Sequence, residues 1–241
     1  MIPLRDENPS GLKPIVNYTF IGLCVLTFLW QLSYGRAQQA VIYAFALIPS
    51  VLFGYEHLPA DLAVVPPGVT LLTSMFMHGG WMHLIGNMLY LWIFGDNVED
   101  AMGHVKFVVF YLLCGLAAAL TQALPDPHSN IPMLGASGAI SGVLGAYLLL
   151  YPHARVLVLI PLGFFSRLMH LPASIVLSLW FALQFLSNLF SSGGGGVAFR
   201  AHIGGFVAGL LLVAVFKRKP FRLYNPLRKD SGSNRSGPRR W

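Results

Sequence analysis

The sequence predicts an all-α, polytopic membrane protein in which six transmembrane helices form one bundle. Of its 241 residues, 55% are hydrophobic and only 10% are charged, whereas about a quarter of an ordinary soluble domain is charged. A soluble protein of this size cannot hide so much apolar surface from water, so lipid is the expected solvent. The apolar residues also fall into six segments, separated by polar or Pro- and Gly-rich connections.

The six predicted membrane segments differ in length. A spanning helix needs roughly 17–25 residues at a rise of about 1.5 Å per residue. The fourth and sixth segments have sixteen residues each and would cover only about 24 Å of a hydrocarbon core about 30 Å thick, so groups at their ends would lie in a recess. The predicted segments are residues 15–34, 81–96, 105–124, 136–151, 171–190 and 201–216.

The connections predict which side of the membrane each loop faces. If the N-terminal segment 1–14 is cytoplasmic, all Lys and Arg residues except Arg36 and Arg200 are cytoplasmic too, as the positive-inside rule requires. Both termini are then inside. The loop 35–80 is long, apolar and punctuated by Pro, so we expect it to lie partly in the outer leaflet. The run "SSGGGG" is interpreted as a flexible external linker.

The basic tail, residues 217–241, holds more than half of the Lys and Arg residues. We interpret this tail as a disordered cytoplasmic end beside anionic lipid headgroups, because it directly follows an apolar helix. The predicted partner of the positive charge is therefore the lipid bilayer and not nucleic acid. Residues 15–216 form the predicted membrane domain.

Four polar side chains in the apolar segments are predicted to lie at one depth. His83 and Asn87 are four residues apart at the start of the second segment, so they share one helix face. Ser137 opens the fourth segment in "GASG", and His202 opens the sixth in "AHIGG". The second, fourth and sixth helices all run from outside to inside. Their first residues would therefore lie together in the outer leaflet.

Small residues predict close contact between the fourth and sixth helices. Both segments carry the small-xxx-small spacing that lets helix backbones approach closely in lipid. His202 shares a helix face with the glycines that follow it in the sixth segment, so its ring is expected to point towards the fourth helix. The small residues are Gly138, Gly142 and Gly145 in the fourth segment, and Ala201, Gly205 and Gly209 in the sixth.

These residue types suit nucleophilic catalysis. A neutral imidazole at His202 could act as general base and activate the hydroxyl of Ser137, which is otherwise a weak nucleophile. Asn87, His83 and the backbone N–H of Ser137 could donate hydrogen bonds to an oxyanion. No acidic residue lies at matching depth in the six segments, so the prediction is a Ser–His dyad. No cofactor and no metal are implied.

With these residues in these positions, the sequence resembles a known family, the rhomboid intramembrane serine proteases. The resemblance covers nearly all of residues 15–216, with three motifs in order on the second, fourth and sixth helices. It implies that Ser137 is the nucleophile, His202 the base, and His83 with Asn87 the oxyanion stabilisers. It also implies substrate access from the side, near the second and fifth helices. The motifs are His-x-x-x-Asn (His83, Asn87), Gly-x-Ser-Gly (Gly135, Ser137, Gly138) and Ala-His-x-x-Gly (Ala201, His202, Gly205).

One position departs from the family pattern. Many relatives carry an aromatic residue where this chain has Ser141, and that ring packs against the catalytic histidine. A serine cannot supply this contact, so something else must orient His202. His78 could brace the external loop or lie near the oxyanion site, and we leave it out of the predicted catalytic set.

Two other function classes remain open from the sequence. A transporter or channel would also carry polar groups inside the membrane, but distributed through its full depth. A catalytically inactive relative acting as a binding scaffold would usually lack the serine or the histidine. A metalloprotease is disfavoured because no Glu lies in the six segments, so the His-Glu-x-x-His motif is absent. We predict cleavage of transmembrane protein substrates in a bacterial inner membrane.

Overall fold

The computed structural model describes residues 1–162, 165–190 and 199–224. The predicted "SSGGGG" linker and most of the predicted basic tail lie outside the described residues. The helices are α1 (Ile15–Ser33), α2 (Gln38–Phe45), α3 (Pro49–Leu52), α4 (Thr70–Thr73), α5 (Trp81–Met102), α6 (His104–Ala123), α7 (Ser137–Leu150), α8 (Ala173–Phe190) and α9 (Phe199–Phe216), and the strands are β1 (Ile2–Asp6), β2 (Arg155–Leu162) and β3 (Phe165–Pro172).

Three of the described helices, α1, α6 and α9, are long and apolar enough to cross a membrane. Helix α7 and the first part of α8 are shorter apolar helices. Helix α5 has 22 residues and carries three acidic residues near its end. The loop between α1 and α5 holds α2, α3 and α4, each of eight residues or fewer, which is too short to span a bilayer.

Helix α7 lies at the centre of the molecule. Every residue from Gly138 to Tyr147 is buried, and α7 packs against α5, α6 and α9. Its 14 residues give a length of about 21 Å, shorter than a hydrocarbon core of about 30 Å. The start of α7 can therefore lie below the membrane surface while its other end is packed in protein.

The contact between α7 and α9 runs backbone to backbone through glycines. A Cβ atom on Gly205 would overlap the carbonyl oxygen of Gly138, and one on Gly209 would overlap the carbonyl oxygen of Gly142. A Cβ atom on Gly142 would in turn collide with the side chain of Cys114 in α6. Helix α9 can approach α7 this closely only because these positions lack side chains.

The predicted all-α class describes most of the structure, but it misses a three-stranded antiparallel sheet in the order β1–β2–β3. The sequence of β2 contains β-branched residues in alternation, and Val156 and Val158 point into the helical core while Leu157 and Leu159 are partly exposed. This period of two is typical of a strand with one buried face. The sequence predicts a connection at this stretch, and the predicted fifth segment begins at 171, two residues before α8.

The N-terminal segment is tied to the end of α5. Glu99 accepts hydrogen bonds from the backbone N–H groups of Val16 and Asn17 at 3.0 and 2.7 Å, and Asp100 accepts one from Gly11 at 2.7 Å. The first turn of α1 has N–H groups without helical partners, and the carboxylate of Glu99 satisfies two of them. These bonds explain why α5 extends beyond the predicted end at residue 96.

Candidate active site

The first pair of polar groups joins the starts of α7 and α9. The Oγ atom of Ser137 lies 2.8 Å from Nε2 of His202, within hydrogen-bonding distance. Ser137 is the first residue of α7, and His202 is in the first turn of α9, where its side chain is 9% exposed. The glycine contact between the two helices brings this hydroxyl and this ring together.

The second pair lies on α5, beside the loop that leads into α7. Gly135 has a φ of +124°, a conformation that favours glycine. A Cβ atom at Gly135 would also lie 2.7 Å from Nε2 of His83 and 3.7 Å from Nδ2 of Asn87. His83 and Asn87 therefore face the backbone just before Ser137. The structure thus brings together all four polar side chains that the sequence predicted to share one depth.

Both side chains on α5 present hydrogen-bond donors to this region. Nδ1 of His83 is 3.3 Å from the backbone N–H of Gly79 and accepts its hydrogen bond, so a neutral ring carries its proton on Nε2. Asn87 is 8% exposed, and its Nδ2 has no hydrogen-bond partner within the described part of the chain. A buried donor without a partner is costly. Here it is available to a ligand or to a developing negative charge.

Among the described residues, Ser141 forms no hydrogen bond with His202. Its Oγ donates to the backbone oxygen of Ser137 one turn earlier, at 2.6 Å, and its side chain is fully buried. The ring of His202 is instead contacted from α8. Nδ1 of His202 lies 2.8 Å from Oε1 of Gln184, and the ring centroids of His202 and Trp180 are 5.9 Å apart.

Gln184 is not among the site residues predicted from the sequence. The signal that could have found it is its position, because a lone amide in the apolar stretch "LWFALQFLS" would be costly in lipid unless it bonded to protein. Trp180 and Gln184 are four residues apart and therefore share the helix face that meets His202.

His78 lies just before α5, with its ring beside that of His83. It is fully buried, and its ring centroid is 5.3 Å from that of His83. The side-chain amide of Gln31 in α1 donates to the backbone oxygen of His78 and accepts from its backbone N–H, both at 3.0 Å. Burial lowers the pKa of His78 to about 4, so the ring is neutral at physiological pH. This position fits a residue that braces the loop leading into α5.

Comparison with known proteins places these residues in a family context. A family model described as "Rhomboid domain" matches residues 68–219, which include α5 to α9 and all four predicted polar side chains. The chain is also similar to "Rhomboid protease GluP" of Bacillus subtilis, with 30% identity over 203 residues, covering 84% of this chain and 35% of that protein.

Two further relatives are a mitochondrial protein and one that is named as inactive. "Rhomboid protein 1, mitochondrial" of Saccharomyces cerevisiae is 26% identical over 182 residues, covering 64% of this chain and 53% of that protein. "Inactive rhomboid protein 1" of Drosophila melanogaster is 35% identical over 89 residues, covering 36% of this chain and 6% of that protein. The chain therefore spans about half the length, or less, of these three curated relatives.

Proposed function

Because the chain belongs to the rhomboid family and is an integral, polytopic membrane protein, we propose that it is an intramembrane serine protease. It hydrolyses peptide bonds in or near transmembrane segments of other membrane proteins. The observation that carries this proposal is the 2.8 Å distance between Oγ of Ser137 and Nε2 of His202. A nucleophile and a base within hydrogen-bonding reach are the first requirement of serine hydrolase chemistry.

In the proposed acylation step, Ser137 attacks the carbonyl carbon of the scissile peptide bond while its proton moves to Nε2 of His202. The carbonyl oxygen becomes an oxyanion that accepts hydrogen bonds from Nδ2 of Asn87, Nε2 of His83 and the backbone N–H of Ser137, which lies in the unpaired first turn of α7. The protonated ring then gives its proton to the leaving amine, and the C–N bond breaks.

Deacylation follows the same path with water as the nucleophile. His202 takes a proton from water, the hydroxide adds to the acyl-enzyme, and the protonated ring returns a proton to Ser137 as the C–O bond breaks. Water must reach the site from outside the membrane. The shortness of α7 supports this, because the site at its start can lie in a recess open to the external face.

In the proposed topology, α1, α5, α6, α7, α8 and α9 cross the membrane, and both termini are cytoplasmic, in a bacterial inner membrane. The loop between α1 and α5 lies in the outer leaflet, and the basic tail lies beside anionic lipid. Substrates enter from the side near α5 and α8. A helical substrate must unwind locally, since its carbonyl groups are otherwise hydrogen-bonded, so targets with helix-weakening residues near the cut are favoured.

Two alternatives are less well supported. An inactive scaffold does not need a serine and a histidine in hydrogen-bonding contact. A transporter needs polar groups along its path, and from Gly142 to Leu150 the polar side-chain group in α7 is the hydroxyl of Tyr147, which donates to a carboxylate oxygen of Asp6 at 2.5 Å. Apart from this hydroxyl, the side chains in this part of α7 are apolar.

The proposal is tested by cleavage of a transmembrane substrate in proteoliposomes. Wild type, Ser137→Ala and His202→Ala are compared with Ser141→Ala as a matched control, because it removes a serine from the same helix whose hydroxyl is bonded to the helix backbone and not to His202. We expect Ser137→Ala and His202→Ala to lower cleavage about 10³-fold or more, and Ser141→Ala to stay within a few-fold of wild type. Undiminished cleavage in both Ser137→Ala and His202→Ala would refute the dyad.

A further inference from the structure

We infer that Gln184 is a positioning residue that holds His202 in the tautomer its proposed role requires. The inference rests on the proposed protease function and adds a third residue, from α8, to the pair formed by α7 and α9. Its basis is the 2.8 Å distance between Oε1 of Gln184 and Nδ1 of His202, on the side of the ring opposite Ser137.

The tautomer follows from hydrogen-bond chemistry. A neutral imidazole carries one N–H donor, and the other nitrogen offers a lone pair. The carbonyl oxygen of an amide can only accept, so Gln184 selects the tautomer with the proton on Nδ1. Nε2 then has a free lone pair, 2.8 Å from the hydroxyl that must donate to it. In the opposite tautomer, Nε2 would carry a proton and could not accept the proton of Ser137.

No other described side chain performs this task. Within residues 1–162, 165–190 and 199–224, no carboxylate forms a hydrogen bond or an ion pair with His202. Ser141 is bonded to the backbone of its own helix. The ring is 9% exposed, so bulk water is a poor substitute for a fixed partner. Gln184 therefore orients the ring of His202, which Ser141 cannot do in place of an aromatic residue.

Helix α8 contacts His202 twice, through neighbouring positions on one face. The ring planes of Trp180 and His202 are inclined by 37°, and Gln184 bonds to the ring edge. Helix α8 is most buried at its beginning, at Val176 and Leu177, while Leu183 is 53% exposed. Because Gln184 lies on α8, the position of this helix and the tautomer of His202 are linked.

The experiment uses two readouts on the full-length protein in detergent. The first is the rate at which a serine-reactive fluorophosphonate labels the protein as a function of pH, which needs an activated serine but no transmembrane substrate. The second is the ¹⁵N spectrum of the histidine rings, which distinguishes a proton on Nδ1 from one on Nε2. The variants are Gln184→Leu, which removes the acceptor, and Gln184→Glu, which keeps one. Leu183→Ala is the matched control, because it alters the exposed face of the same helix.

We expect labelling of Gln184→Leu to be about 10- to 100-fold slower than that of wild type, by analogy with the loss found when the partner that orients a metal-bound histidine is removed. Gln184→Glu should recover most of the rate and shift the acid limb of the pH–rate profile upwards, because a carboxylate stabilises a protonated ring. Leu183→Ala should be labelled at the wild-type rate. The wild-type spectrum should show the proton of His202 on Nδ1, and this result does not depend on how any variant folds.

Two results would overturn the inference while leaving the proposed function intact. One is a wild-type protein that is labelled at Ser137 but carries the His202 proton on Nε2. The other is equal labelling of Gln184→Leu and wild type at every pH. A wild type that neither reacts with the fluorophosphonate nor cleaves a transmembrane substrate would instead overturn the proposed function, and the role of Gln184 with it.

Discussion

The contact between Gly205 and Gly138 should control the geometry of the site, and Gly205→Ala tests this. A Cβ atom on Gly205 would lie 2.9 Å from the carbonyl carbon of Gly138, with the carbonyl oxygen closer still, whereas ordinary contact begins at 3.4 Å. Helix α9 must therefore move away from α7 by about half an ångström or more. Gly205 is one turn from His202 and Gly138 follows Ser137, so the shift is applied directly at the reacting pair.

The magnitude follows from the starting distance. Oγ of Ser137 and Nε2 of His202 are 2.8 Å apart, so a shift of about half an ångström lengthens this hydrogen bond beyond its normal range, which ends near 3.0–3.2 Å. A misplacement approaching 1 Å costs about 10²-fold in rate, and overpacking a filled interface destabilises by about 1–3 kcal/mol. We therefore expect Gly205→Ala to be labelled by the fluorophosphonate about 10²-fold more slowly than wild type. We also expect a lower thermal unfolding midpoint in detergent.

The matched control is Gly22→Ala in α1, where an added Cβ atom would meet nothing within 4 Å. This variant should be as stable as wild type or more so, by up to about 1 kcal/mol, because alanine favours helix more than glycine does. Both variants are assayed for labelling, substrate cleavage and thermal unfolding. If Gly205→Ala matched Gly22→Ala in stability and activity, the argument from close helix contact would be refuted.

Three further predictions concern other groups. Asn87→Leu should lower cleavage about 10²-fold without lowering the unfolding midpoint, since Nδ2 of Asn87 has no protein partner among the described residues. Unchanged cleavage, or a lower unfolding midpoint, would contradict this. Gln31→Leu should lower the free energy of unfolding by about 1–3 kcal/mol, because it leaves the buried backbone groups of His78 unpaired. An unchanged denaturant unfolding curve would show that these two hydrogen bonds do not contribute to stability. Burial raises the pKa of Asp6 from 3.8 to about 7, so the folded state favours the protonated carboxyl group. The contribution of Asp6 to stability is therefore full below about pH 4 and is lost as the pH rises through about 7. Asp6→Asn should flatten this dependence in thermal melts recorded across that window, and an unaltered slope would refute the assignment.

The sequence predicted the location of the candidate site because helix direction is a strong constraint. Three polar motifs begin segments that are predicted to run the same way through the membrane, so their first residues are expected to share one side of the bilayer. The glycines added a second constraint, since they mark where backbones can touch. Such patterns are local, and a single chain displays them directly.

The features that the sequence did not predict depend on tertiary contacts. Gln184 is one amide in an apolar helix, and its partner was set by the rotation of α8 about its axis, which periodicity alone does not determine. The extension of α5 beyond residue 96 depends on Glu99 and Asp100 finding backbone donors in the N-terminal segment. Strand β2 pairs with both β1 and β3, and β1 is far away in the chain. Because the pairing with β1 is not visible locally, the short apolar run of β2 could not be distinguished from a helix or a connection.

Activation of Ser137 by His202 is tested by labelling the protein with a fluorophosphonate and locating the modified residue by mass spectrometry. The account predicts an adduct on Ser137 in wild type that disappears in His202→Ala under the same conditions. An adduct on a different serine such as Ser141, or one on Ser137 that forms at the same rate without His202, would contradict it.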